Sequence, residues 1–361
     1  MKNILAIKTL INKHSLLEKY NYFFLILFFP SFVASVFIAN CVIGLTILVN
    51  LVFNLKEFII TLKKNINLSY IFLLFYLVLV TSSLLSNYIF FSFESSILYF
   101  VYLLYIFLFL IILKLYPESE ITFFKCGLIT FFIISLDAIY EFSFGQNILG
   151  LSAQDGRIAG LFNDRWVIGS YLVRFLPILV GIFLINYKSF KKNIRYFIYL
   201  VFLLSSIVIV LSGERKAFLL LILYMLILYI YFFKHSKSLR FFFIPIIILF
   251  ISIPFLFEET SKRLKYQLSH HATNLDVFEN QYYALYLTSY EMFIQNPIIG
   301  IGPNNFRKLC FDREYVQSYY SCSTHPHNTL LQTLSETGLI GTSFVYFVFL
   351  FFIYKIFAQI K

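Results

Sequence analysis

The chain has 361 residues, 60% of them hydrophobic and only 13% charged, with a mean hydropathy of +0.82. No soluble domain of this length is built that way, so the composition excludes a soluble enzyme or binding module and predicts an all-α, polytopic membrane helix bundle. The net charge of +11 would suit nucleic acid, but its distribution is that of membrane topology, and no nucleic-acid partner is expected.

The first twenty residues read as a basic amphipathic helix lying on the cytoplasmic surface. Apolar runs then predict about ten spans. They are Tyr22 to Ile38, Ala39 to Leu55, Leu68 to Ser86, Ser95 to Leu115, Ile121 to Phe142, Trp166 to Ile185, Ile194 to Leu211, Ala217 to Phe233, Phe241 to Phe257 and Gly338 to Phe357. Asn40 and Cys41 suggest a tight hairpin between the first two. Phe and Tyr, 47 and 27 in number, suit helix–helix gaps and the lipid boundary respectively, a structural role. No solenoid repeat or soluble domain stands out, so residues 1–361 read as a single integral membrane domain.

With this span order the basic clusters share one face. Lys2, Lys8, Lys13 and Lys19 precede span 1, and Lys56, Lys63 and Lys64 follow span 2. Lys114, then Lys188 to Arg195, then Lys234 to Arg240, then Lys355 and Lys361 continue the pattern. The positive-inside rule places both termini in the cytoplasm. Ser143 to Arg165, Ser212 to Lys216 and Glu258 to Thr337 then lie outside, and the last is a long, partly helical loop before the final span.

Polar chemistry gathers in these outer segments. Arg157, between Gly156 and Gly160, can bind an anionic headgroup or a phosphate, or be an ordinary interfacial arginine. Trp166 suits an interfacial anchor. Arg174 lies about two turns inside its span, where a guanidinium is expected to face the bundle interior with a partner, Asp137 and Glu141 being nearest in sequence. Arg215 begins a helix after a very short turn. A cation is unfavourable there for the helix itself, and Glu214 offsets only part of that, so phosphate binding is the favoured reading.

In the long loop, Tyr282 to Pro297 reads as a largely apolar helix against the membrane, and Gly300 to Arg307 as a glycine-rich turn shaping the chain near Arg307 and His327. Cys310 and Cys322 stand where disulfides are permitted, and a bridge and two free thiols are both open. Cys322, His325 and His327 do not have the spacing of a closed zinc site. Pro326 is expected to splay the two imidazoles, so no metal site is expected. His327 and Asn328 close the loop, placing at a membrane surface the side chain best suited to proton transfer near neutral pH.

Three elements together resemble the O-antigen ligase/polymerase superfamily of bacterial envelope glycosyltransferases. They are His327-Asn328 with nine residues to Gly338 and then Gly341, Arg215 with three residues to Leu219, and Asn296 to Phe306 with its Pro-x-x-Gly-x-Gly pattern. Their order and the long penultimate loop agree with the family over essentially the whole chain. Two departures stand out. Asn280, Gln281 and Tyr282 occupy the region where members often carry an arginine, whose role would pass to Arg263 or Arg307, and a single span follows His327.

The resemblance implies a metal-independent, inverting transfer in the inner membrane, with the site on the periplasmic face and no cofactor. The donor would be a glycan on undecaprenyl diphosphate. The acceptor would be lipid A–core for a ligase, or a second lipid-linked glycan for a polymerase. His327 would be the general base. Arg215, with Arg157 and Arg174, would neutralise the diphosphate, and Arg307 and Asn328 would contribute to substrate binding. A lipid-linked glycan flippase is the rival from another class. It ranks lower because no internal repeat is evident and the candidate groups lie near one face.

Overall fold

A computed structural model of the chain describes residues 2–116, 118–151, 157–162, 165–235 and 276–360. Among these, all regular elements are helical. They run α1 (Lys2–Ala34), α2 (Val36–Lys64), α3 (Ile66–Leu84), α4 (Ile89–Leu115), α5 (Ser119–Phe144), α6 (Ile168–Ile185), α7 (Lys192–Leu211), α8 (Arg215–His235), α9 (Gln281–Gln295), α10 (Phe306–Leu309) and α11 (Thr329–Ile360). Eight of them are long and apolar enough to cross a membrane: α1 to α7 and α11. The eighth expected span coincides with α8, and the ninth, Phe241 to Phe257, lies outside the described residues.

The first two spans begin earlier than composition suggests. The expected hairpin at Asn40 and Cys41 is replaced by a break at Ser35, and both residues lie within α2. The physical reason is a buried amide pair. The Asn50 side chain donates to Asn21 Oδ1 at 2.7 Å and Asn21 donates back at 3.3 Å, which joins the two helices across the break at Ser35. Such a pair satisfies groups that lipid cannot. The basic N-terminal stretch continues into the first span as one helix.

By its contacts the chain forms two compact units, Met1–Phe53 with Phe109–Leu264, and Asn54–Leu108 with Lys265–Lys361. Asn54, at that boundary within α2, leaves helical geometry with φ −119° and ψ 22°.

The first unit is built on α5, which packs against α1, α6 and α7. Aromatic rings fill the gaps, as the phenylalanine content predicts. Phe29 meets Phe123 at 4.6 Å and Phe175 at 5.3 Å between centroids, and Tyr171 lies 5.9 Å from Phe131. Gly127 makes room for them, because a Cβ there would sit 2.8 Å from both Phe29 and Leu179. Helix α5 ends at Gly145, whose left-handed φ of 79° returns its N–H to the Glu141 carbonyl at 2.8 Å.

The second unit packs α9 and α3 against α11. Serines line the join of α3 and α4. Ser83 Oγ lies 2.8 Å from Ser96 Oγ and accepts from Ser92 at 3.0 Å. Helix α11 is broken rather than starting at the expected Gly338. It begins at Thr329, and Gly338 leaves helical geometry at φ 63° and ψ −165°.

Candidate active site

The break at Gly338 is bridged by another part of the chain. In an unbroken helix Leu339 and Ile340 would donate to Ser335 and Glu336. Here Leu339 donates to the Pro297 carbonyl at 2.8 Å and Ile340 to Ile298 at 3.2 Å. The abandoned carbonyls of Ser335 and Glu336 accept from Ile301 at 2.8 Å and Gly302 at 3.0 Å. Ser82 of α3 clamps both partners, bonding the carbonyls of Ile299 (2.9 Å) and Glu336 (2.8 Å). The Pro-x-x-Gly-x-Gly segment is therefore a backbone splice across the last helix. Its glycines are dictated by contact as well as by φ, since a Cβ on Gly300 would strike the Glu336 backbone, and Gly300 stands at φ 76°.

The splice supports a small core made of Leu285, Met292, Ile301, Phe306, Leu309, Cys310 and Tyr315. Cys310 and Cys322 are bridged, which settles the open alternative and ties the histidine loop to α10. Helix α9 is capped by Asn280, which accepts from the N–H groups of Tyr282 and Tyr283 at 3.1 and 3.3 Å. Ser289 locks α9 to α11 through the Leu331 carbonyl at 3.0 Å.

His327 sits just before α11, half-buried, at a left-handed φ of 56°. Its Nε2 lies 3.2 Å from Ser323 Oγ, and Tyr282 approaches it edge-on, with ring centroids 5.8 Å apart. His325 is not splayed away as Pro326 suggested, since the two imidazole centroids are 4.2 Å apart. The reversal of the backbone at His327 undoes the divergence that the proline alone would impose. Asn328 is the N-cap of α11, with Oδ1 accepting from Leu330 at 3.0 Å and Leu331 at 3.2 Å. The imidazole is thus carried on the rigid start of a capped helix. Arg307 is exposed on α10, and Arg263 lies outside the described residues.

The other arginines belong to the first unit. Arg215 is half-buried at the start of α8, after a turn in which Gly213 has φ 67°. Glu214 has a role the sequence did not reveal, because its carboxylate accepts from the N–H groups of Gly169 (2.7 Å) and Ser170 (3.1 Å) and from the Ser170 hydroxyl. It caps α6 from a distant turn. Arg157 stacks on Trp166 at 4.8 Å.

Arg174 is exposed on α6 and does not face the bundle interior as expected. Its expected partners hold a loop instead. Asp137 accepts from Ile148 at 2.9 Å, and Glu141 accepts from Gly160 at 2.6 Å and Ala159 at 3.2 Å. Backbone N–H groups have taken the place of the guanidinium.

Sequence reasoning missed Tyr282 and Ser323 as neighbours of His327. It also missed Glu336, a buried carboxylate whose Oε2 accepts from Gln332 at 3.3 Å and which the backbone N–H groups of Asn304 and Phe306 also face. The signal for Glu336 was present, as an acidic residue at the threshold of an apolar span. Among the described residues no group of three or more His, Cys, Asp or Glu side chains is placed to hold a metal ion.

These features define a multi-pass helical membrane protein with a histidine presented on a capped, spliced helix. Residues 200–346 match the model of a family described as O-antigen ligase, a segment that contains Arg215, the splice and His327. The match covers less than half of the chain and is consistent with the O-antigen ligase/polymerase superfamily, whose members transfer glycosyl groups. A comparison with curated proteins gives no match.

Proposed function

We propose that the protein transfers a glycan from undecaprenyl diphosphate to an acceptor hydroxyl, as an O-antigen ligase acting on lipid A–core. The observation that carries this reading is His327, which is half-buried, fixed by the Asn328 cap and the Gly338 splice, and lies within the segment matched to the family.

In this reading His327 takes the proton of the acceptor hydroxyl as its oxygen bonds to the anomeric carbon. The bond to the diphosphate oxygen breaks, with inversion, and its electron pair leaves with undecaprenyl diphosphate. Arg215 neutralises that leaving group without a divalent metal. Arg157, Arg174 and Arg307 are further candidates to contact the anionic donor, and the Asn328 amide to contact substrate. In this reading the site faces the periplasm and both termini the cytoplasm of the inner membrane, an orientation that the distribution of Lys and Arg supports.

Reconstitution tests this directly. Purified protein receives an undecaprenyl-diphosphate glycan with and without lipid A–core, and the products are resolved. New product only with lipid A–core supports the ligase. Lengthened glycan without it assigns a polymerase. Movement of lipid-linked glycan across vesicles with no new glycosidic bond assigns a flippase and overturns the proposal.

A further inference from the structure

The mechanism above uses one imidazole, yet the structure supplies two. His325 and His327 are separated by a buried proline, and their ring centroids are 4.2 Å apart at an interplanar angle of 56°. Each ring is held separately. His325 Nδ1 lies 2.9 Å from Thr324 Oγ1, and His327 Nε2 lies 3.2 Å from Ser323 Oγ. Facing His327 from α9 is Tyr282, at 5.8 Å between centroids. From α11 the Asn328 side chain is turned to its own helix. His327 itself stands at a left-handed φ of 56°, which turns its ring back toward His325.

Two imidazolium charges at this distance, partly withdrawn from water, repel strongly. A pair of this kind takes up its first proton normally and its second only at considerably lower pH. We propose that His325 is a positioning residue for the transfer. Its nearness disfavours a second charge on the pair, and so keeps a fraction of His327 able to accept the proton of the acceptor hydroxyl at pH values where a lone imidazole would be fully charged. This rests on His327 being the general base. When the acceptor oxygen bonds to the anomeric carbon its proton passes to the imidazole pair, and it leaves from there to solvent.

Without His325 the repulsion is gone, His327 holds its proton to higher pH, and the acid limb of the rate profile moves upward.

The test compares wild type with His325→Gln and His325→Phe, the second keeping a ring without a titrating group. Protonation of His327 is read without turnover from the pH dependence of its modification by diethyl pyrocarbonate, which attacks neutral imidazole, with the site assigned by peptide mass spectrometry. The acid limb of kcat/KM is measured in parallel. In whichever variant elutes as a folded monodisperse protein, both midpoints are expected to rise by about one pH unit. An unchanged modification midpoint overturns the proposal. A midpoint that rises in the variants while the wild type forms no product upholds the coupling of the two histidines and rejects the transferase reading. Product formation with an unshifted midpoint does the reverse.

Discussion

The backbone of Ile298 passes so close to Gly338 that a Cβ on that glycine would occupy the place of the Ile298 carbonyl. That contact explains why the glycine pattern before the histidine and the one after it occur in the same chain. One is the splint and the other is the break it bridges, and both lie on the helix that follows His327 or against it.

Gly338→Ala is expected to lose about 2–4 kcal/mol, from a disfavoured φ and a backbone collision. Gly181→Ala in α6, where a Cβ would meet nothing within 4 Å, is expected to stay within about 1 kcal/mol of wild type. Thermal unfolding in one detergent compares them. Equal stability of the two variants would show that the splice contributes nothing.

His327→Ala is expected to slow transfer by about 10²–10⁴-fold, the usual contribution of a general base. Arg215→Ala is expected to abolish detectable product, through loss of charge neutralisation at the leaving group. Both variants should elute and unfold like wild type. Near-normal product from either removes that residue from the mechanism.

Asn328→Ala removes the cap of α11 and is expected to cost about 1 kcal/mol, most of which Asn328→Asp restores. Because the cap fixes the helix that His327 precedes, product formation is expected to fall in the alanine variant. Circular-dichroism melts read the stability, and the reconstituted assay reads the rate. If Asn328→Asp recovers stability but not product, the amide has a substrate role beyond capping.

Replacing Cys310 and Cys322 together by serine opens a short loop and is expected to cost about 3 kcal/mol. Wild type under a membrane-permeant reductant should approach the variant, while the variant itself should not respond. An identical wild-type melt with and without reductant would show that the bridge adds no stability.

Much of the architecture was legible along the chain, because crossing a membrane is a local requirement. A long apolar run must be helical to satisfy its own backbone, so α3 to α7 fell close to their expected places, and α8 coincides with the eighth expected span. The ends of the first two spans and the start of the last did not. They depend on Asn21 meeting Asn50 and on Pro297 meeting Leu339, pairings between residues far apart in sequence.

The same division holds for the candidate site. His327, Asn328, Arg215 and the glycine segment stand out in the sequence because their residue types are rare in apolar surroundings. What each one does was decided by tertiary structure. Backbone N–H groups claimed Asp137 and Glu141 and left Arg174 exposed, a left-handed residue after a proline brought His325 against His327, and an extended strip of chain completed the hydrogen bonds of a broken helix. Composition shows that buried polar groups must find partners. Only the packed chain shows which partners they find, because hydrogen bonds are satisfied by geometry that residue order alone does not encode.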